Sequence, residues 1–247
     1  GKFEQPIAIK TGDEIEDLGI AFNKMIAGLK QLEQLKEEFV FIAAHELRTP
    51  VAAIKGYLSL VLDGTAGPVS QPVREFIEKV LSSNQRLIHL VNDLLEVARS
   101  EAGRLPIDVV SLDIQEPVKA VISELKPLSD EKNIQVFYEP LETPKVMADS
   151  VRLKEVLVNL IGNAIKYTIG SGQILLSHEV SGKELITHIK DSGIGIAPEA
   201  QKKLFEKFYR VQTEKTRDIT GTGLGLFIVR QIIEKMNGKI WVESEEG

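Results

Sequence analysis

The chain has 247 residues, 43% of them hydrophobic and 27% charged, with a formal charge of −6, a length that suits one or two globular domains. The acidic balance and the lack of a long basic run argue against a nucleic-acid partner, and a sequence without cysteine has no disulfides and no thiolate metal sites. No stretch reaches ~18 consecutive apolar residues and no signal-peptide pattern opens the chain, so any membrane attachment is expected only through segments outside these residues.

From Asp13 to about Asp63 the pattern is helical almost without a break. Leu18, Phe22, Met25, Leu29 and Leu32 step by four and three, the spacing of an apolar coiled-coil seam. Leu35, Phe39 and Ile42 continue it after an extra three-residue step, which shifts the seam around the helix. A helix buried in a monomer would read the same way, but one this long has too little company in a single chain, and a homodimer is expected. Asp63-Gly64-Thr65-Ala66-Gly67-Pro68 is a strong turn cluster. A second helix follows over about Gln71 to Ser100, with Phe76, Val80, Leu87, Leu90, Val91, Leu94 and Leu95 on its apolar side. Two such helices on a short connection form an antiparallel hairpin, and two hairpins make a four-helix bundle.

Past Leu105 the texture changes. Strand-like runs (Val109 to Leu112, Ile134 to Tyr138, Lys145 to Ala148, Ile174 to Val180, Glu184 to Lys190, Lys239 to Glu243) alternate with helical ones (Gln115 to Glu131, Ser150 to Tyr167, Leu224 to Asn237). That alternation predicts an α/β sandwich, a mixed sheet covered on one face by helices. The domain boundary is expected near Gly103.

Four groups of residues carry chemistry. His45-Glu46-Leu47-Arg48-Thr49-Pro50 sits inside the first helix and is not a zinc-protease helix, because Thr49 stands where the second His ligand is needed. A neutral imidazole is a competent nucleophile near neutral pH, and Glu46 is a carboxylate placed to take its proton. Thr49, one turn on, projects its hydroxyl on the side of His45. Asn159-Leu160-Ile161-Gly162-Asn163-Ala164-Ile165-Lys166-Tyr167-Thr168 places Asn, a poor helix-interior residue, twice at a spacing of four. Glu155, Asn159, Asn163 and Lys166/Tyr167 form one polar stripe whose side-chain oxygens suit Mg and whose Lys and Tyr suit a phosphate and a flat base. A solvated helix face would give the same stripe.

Asp191-Ser192-Gly193-Ile194-Gly195 follows a strand, where the carboxylate can accept from an exocyclic amino group and glycines let backbone approach a base. Gly221-Thr222-Gly223-Leu224-Gly225-Leu226 opens a helix, where free N–H groups favour phosphate, and Leu226 in place of a third glycine excludes a dinucleotide fingerprint. Between the two runs Ile196 to Thr220, rich in Lys and Arg and long enough for a lid over a triphosphate.

These motifs, in this order, resemble the histidine kinase family over roughly residues 31 to 247. His45 to Pro50 resembles the H-box, Asn159 to Thr168 the N-box, Asp191 to Gly195 the first glycine box, Phe205 to Arg210 the F-box, and Gly221 to Leu226 the second glycine box. The resemblance implies a helical hairpin dimerisation domain carrying the phosphoacceptor, over residues 31–103, and a Bergerat-fold ATP-binding sandwich over 104–247. It implies His45 as phosphoacceptor with Glu46 as its base and Thr49 serving dephosphorylation of the regulator. It implies Mg bound by Asn163 with Glu155, and adenine recognised by Asp191. Asn159, Lys166, Tyr167 and Arg210 would contact ATP, with Gly193, Gly195, Gly221, Gly223, Leu224 and Gly225 lending close-approaching backbone. The implied partner is a response regulator receiver domain. Residues 1–30, through Pro6, Gly12-Asp13-Glu14-Ile15 and Phe22-Asn23-Lys24-Met25, resemble the end of a HAMP linker, so a cytoplasmic fragment of an inner-membrane-anchored parent is expected. Family members continue past a segment like Trp241 to Gly247 into a final Phe-containing strand, so one edge strand is expected to be missing. A related Bergerat-fold ATPase and a degenerate signalling scaffold are the alternatives.

Overall fold

The structure, a computed structural model, describes residues 7–217 and 219–246; Pro6 of the linker resemblance lies outside them. The chain divides into two compact units, Gly1–Leu105 and Pro106–Gly247.

The first unit is a helical hairpin. Helix α1 (Glu14–Leu62) starts where Asp13, in extended backbone, accepts from the Ile15 N–H, and Glu14, Glu16 and Asp17 place negative charge at the positive helix end. It runs on through Pro50. After it, Gly64 and Gly67 take φ of +87° and +101°, and helix α2 (Gln71–Glu101) begins with Pro at its first turn. Arg74 of α2 reaches back to the Leu62 carbonyl (2.9 Å), satisfying one of the orphan acceptors at the end of α1.

The helices meet through a small apolar cluster of Ala44, Val91 and Leu95, backed by Leu94, and through two polar clamps. Arg48 donates twice to Asn92 Oδ1 (3.2 and 2.9 Å), and the buried Asn84 donates to the Val51 carbonyl (3.0 Å). Buried polar groups with one matching partner fix which turns of two helices stand opposite each other. The predicted apolar side of α2 therefore divides: Val91 and Leu95 are buried against α1, whereas Phe76, Val80, Leu87 and Leu90 are exposed. The α1 seam stays open too, with Leu32 and Leu35 exposed and Phe39 72% exposed. Preceding α1, Ile7 exchanges two hydrogen bonds with the Asn23 side chain (2.9 and 2.8 Å).

In the second unit, strand β1 (Val110–Leu112) pairs antiparallel with β3 (Val146–Ala148). Separately, β2 (Ile134–Tyr138), β4 (Gly172–Ser181) and β5 (Glu184–Asp191) make a mixed sheet in the order β2–β4–β5, parallel then antiparallel. On β4, Ile174, Leu176 and His178 are buried while Gln173 and Glu179 are exposed, the period-two pattern of a sheet covered on one face. The cover is α3 (Gln115–Glu131) and α4 (Ser150–Tyr167), which bring Val118, Val121, Leu153, Leu157, Ile161 and Ile165 into one core with the sheet. His178 inside that face is satisfied at both ring nitrogens, by Tyr138 Oη (2.9 Å) and Thr187 Oγ1 (3.1 Å), and burial lowers its pKa.

Helix α6 (Gly225–Lys235) packs on α4 and is shorter than its apolar pattern suggests. Asn237 at φ +61° reverses the chain, and the Gly238 N–H bonds back to the Ile233 carbonyl (2.9 Å), a closing geometry of helix C-termini. Residues 196–220, read as a plain lid loop, contain the short α5 (Pro198–Gln201) and a 3₁₀ turn at Glu214–Thr216. Lys239 to Glu243, expected as a strand, joins no ladder among the described residues. Its β-branched and aromatic residues have the propensity, and Lys239 reaches Glu184 at the start of the edge strand β5 (3.9 Å), yet no ladder forms there. The segment is tied instead by Ser244, whose Oγ accepts from the Ile196 N–H (3.0 Å) and whose carbonyl accepts from Gln201 Nε2 (2.8 Å).

Candidate functional site

His45, Glu46 and Thr49 lie about two thirds of the way along α1, all exposed. Ala44, fully buried, and Arg48, bonded to Asn92, fix this turn of α1 to α2, and His45 and Thr49, each one position on and so about 100° around the helix, are left exposed on its flank. The His45 ring stacks on Phe41, with centroids 6.4 Å apart and planes 16° from parallel. Glu46 is one position on, about 100° around the helix, so it flanks rather than faces the imidazole.

The second group of residues gathers around α4. Asp149 starts this helix by accepting from the Val151 and Arg152 N–H groups (2.9 and 3.1 Å). Along its polar stripe Glu155 pairs with Arg152 (2.8 Å), and Asn163 Nδ2 donates to Asn159 Oδ1 (3.1 Å), a bond that does not use the Asn163 carbonyl oxygen. Glu155 and Asn163 stand two turns apart, about 12 Å along the axis, so they cannot both bond one ion directly. Among the described residues no three His, Asp or Glu cluster as metal ligands. A divalent cation here would rest on amide oxygens and on the oxygens of a bound phosphate, a donor set that suits Mg.

At the end of α4, Lys166 stands over the Tyr167 ring (5.1 Å to its centroid). Burial, and then the nearby Arg210 and Lys132 cations, hold the Lys166 pKa below the ordinary lysine value. Half-buried cations crowded in this way are relieved by a polyanion.

Two glycine turns close on this helix. Asp191 ends β5, exposed, and its Oδ1 accepts from the Gly193 N–H (2.9 Å). The Tyr167 carbonyl accepts from the Ile194 N–H (3.3 Å), and a Cβ on Gly193 would stand 2.8 Å from that carbonyl oxygen. From the other side, Cβ atoms on Gly221 and Gly225 would meet Lys166 Nζ (2.8 Å) and the Asn159 amide (2.7 Å). Gly223, at φ +73°, backs onto the Phe208 backbone, 2.8 Å from where a Cβ would sit. The α4 stripe, the Asp191 turn and the Gly221–Gly225 turn thus converge, as a nucleotide site requires.

Three predicted residues sit differently from the simple picture. Gly195 (φ +68°) has the Glu245 carbonyl packed where a Cβ would stand, which by itself requires glycine there. Leu224 is fully buried and anchors the start of α6, its N–H already donating to Thr222 Oγ1 (3.2 Å). Arg210 braces the lid by donating to the Ile219 and Gly221 carbonyls, while its Nε is buried without a partner. Sequence reasoning missed Lys132, which comes from the end of α3 to the carbonyls that close α4. A Lys just past a helix is ordinary, and only the fold shows which helix it caps.

Comparison with known proteins places both units. A family model described as "His Kinase A (phospho-acceptor) domain" matches residues 21–103. One described as "Histidine kinase-, DNA gyrase B-, and HSP90-like ATPase" matches residues 148–247. The sensor protein SrrB of Staphylococcus aureus is 37% identical over 222 residues, 87% of this chain; the chain spans only 37% of that relative's length. Among solved structures, full-length ShkA in complex with AMPPNP is 31% identical with a TM-score of 0.69, covering 85% of this chain and 43% of ShkA. The histidine kinase ThkA in complex with response regulator protein TrrA is 27% identical with a TM-score of 0.60, covering 90% of this chain and 63% of ThkA.

Proposed function

The chain belongs to the sensor histidine kinase family, and from that premise we propose that it transfers the γ-phosphoryl group of ATP to His45 and passes it to an aspartate of a response regulator receiver domain. The observation that carries this reading is the convergence of Asn159, Asn163, Lys166, Asp191 and the Gly221–Gly225 turn in a chain that also presents an exposed His45. The ShkA–AMPPNP and ThkA–TrrA likenesses support a nucleotide and a regulator as its partners.

Asp191 accepts from the adenine amino group, Tyr167 packs on the nucleotide, and Lys166 and Arg210 balance phosphate charge. The Gly223 and Gly225 backbone lies against the phosphates at the start of α6, where the helix dipole favours an anion. Mg would be held by Asn163, with Asn159 a turn away and Glu155 further off; bound there, it would neutralise phosphate oxygens and align the transferring group. His45 attacks phosphorus, the phosphorus–oxygen bond to ADP breaks, and Glu46 accepts the imidazole proton. The open apolar faces of α1 and α2 pair with a second copy as a four-helix bundle. The same proposal includes the HAMP-like residues 1–30, the units 31–103 and 104–247, and a membrane-anchored parent with this part in the cytoplasm.

Incubation with γ-labelled ATP and Mg tests the reading. Label on the protein that is acid-labile and base-stable is expected. Inorganic phosphate released without protein label would make the chain a hydrolase of the gyrase and Hsp90 kind, and failure to bind ATP would leave a scaffold.

Asp191→Asn tests the adenine contact. The substitution replaces one acceptor oxygen by a donor facing the adenine amino group. A polar group left unpaired beneath the bound base costs ~1–3 kcal/mol, so ATP affinity falls about tenfold to a hundredfold. Calorimetry that gives the unsubstituted dissociation constant excludes this role.

A further inference from the structure

The C-terminal end of α4 is closed by groups from elsewhere in the fold. A helix leaves its last four carbonyls without intrahelical partners. Here the Ala164 carbonyl takes the Thr168 N–H (3.1 Å) and hydroxyl (2.8 Å), and the Tyr167 carbonyl takes the Ile194 N–H (3.3 Å). The two between them, Ile165 and Lys166, both accept from Lys132 Nζ, at 3.2 and 3.3 Å. Lys132 ends α3, so one ammonium ties the end of α3 to the end of α4.

A cation at this position also meets the negative end of the helix dipole. One carbonyl it holds belongs to Ile165, whose side chain is buried in the core, and the other to Lys166; the next residue is Tyr167, so the bond lies at the point where the helix passes from core to nucleotide face. Beside them lies a cavity of about 480 Å³, lined by Lys132, Lys166, Thr168, Ser171 and Lys215 among others. If the last turn of α4 frayed, Lys166 would gain rotational freedom and lose its place against Gly221, and the Tyr167 carbonyl would lose its bond to the Asp191 turn.

We propose that Lys132 is a positioning residue for nucleotide binding, acting through the Ile165 and Lys166 carbonyls to hold Lys166 and Tyr167 in place. The inference rests on the reading that these two residues contact ATP. Lys132 does not touch the nucleotide, so its removal weakens ATP and ADP by the same factor and leaves phosphoryl transfer at saturating ATP unchanged. Lys132→Met keeps the aliphatic stem and removes the donor; Lys132→Arg keeps a charged donor.

The measurements are dissociation constants of Mg-ATP and Mg-ADP by calorimetry and the initial rate of His45 labelling at saturating ATP, alongside the unsubstituted protein. Lys132→Met is expected to weaken both nucleotides about five- to tenfold, with the saturated labelling rate within about twofold of the unsubstituted protein. Lys132→Arg is expected to recover most of the affinity. Unchanged affinity in Lys132→Met overturns the proposal. So does a much larger loss for ATP than for ADP, which would make Lys132 a direct phosphate contact, and so does failure of Arg to rescue. Should Lys132→Met not fold by circular dichroism, Lys132→Gln, with a shorter neutral donor, replaces it and is held to the same outcomes at a smaller loss. An unsubstituted protein that binds no ATP would overturn the nucleotide reading itself, which separates the two failures.

Discussion

His45→Gln is expected to reduce labelling from ATP to background while ATP binds as before. The nucleophilic nitrogen is gone, and an amide in its place has no comparable lone pair to form a bond to phosphorus. The fold is expected to tolerate the change, because His45 is exposed, its ring stacks on Phe41, and Gln is at least as good a helix former as His. Of the other histidines, two are already engaged. His178 is buried with both ring nitrogens hydrogen-bonded, and His188 pairs with Glu179 at 3.5 Å. His89 is exposed on α2 with Asp93 four residues on, but it lies outside the His45-Glu46-x-x-Thr49-Pro50 motif that carries the family resemblance. Filter retention of labelled protein and calorimetry with unlabelled ATP make the test. Phosphate found on His89, His178 or His188 in the variant would refute the assignment, and so would undiminished label.

Thr49→Ala is expected to separate two activities one helical turn apart. The Thr49 hydroxyl lies on the His45 side of α1, where it can orient a water toward an aspartyl phosphate docked against the bundle. Phosphoryl transfer from ATP depends on His45 and Glu46 instead. Removing one positioned polar group costs ~10²-fold or more in the step it serves. The surroundings make a structural explanation of such a loss easy to exclude. Thr49 is exposed, the helices on either side of it are held by the Arg48–Asn92 and Asn84–Val51 bonds, and Ala is the better helix former. The variant is therefore expected to keep autophosphorylation and transfer while hydrolysis of the phospho-regulator slows by about a hundredfold. The measurement is the decay of purified phospho-regulator with the variant and Mg-ADP. Decay at the unsubstituted rate, or equal loss of both activities, would sink the idea.

Much of the fold is legible in the chain because helices and strands are periodic. The four-and-three steps from Leu18 to Leu32 and the alternation of Ile174, Leu176 and His178 each repeat over enough residues to fix element type. Turn chemistry supplied several ends, as at Asp63 to Pro68, and α3 and α4 begin and end where their patterns do. The His45 hexapeptide, the Asn159/Asn163 pair and the two glycine turns were legible for a different reason: chemistry requires these residue types at short, fixed spacings, and their order along the chain carried the family resemblance.

What the sequence could not hold is which distant pieces touch. The period-3.6 pattern of α2 marks Leu87, Leu90, Val91 and Leu95 alike, and only the packing of α1 decides that the last two are buried and the first two left open. Lys239 to Glu243 has strand propensity and begins beside the edge strand β5, but propensity alone does not form a ladder, and none is made there among the described residues. Gly195 reads as room for a base, and only the fold shows that the Glu245 carbonyl, 50 residues on, also packs on it. Lys132 reads as one more charged residue at a helix end until α3 and α4 are brought side by side, when its ammonium closes the helix that carries Lys166 and Tyr167. Spacing along the chain encodes local conformation and chemical type; contacts between residues 30 to 50 positions apart are decided by how the layers pack, because only there do burial and unsatisfied hydrogen-bonding groups select one partner among many.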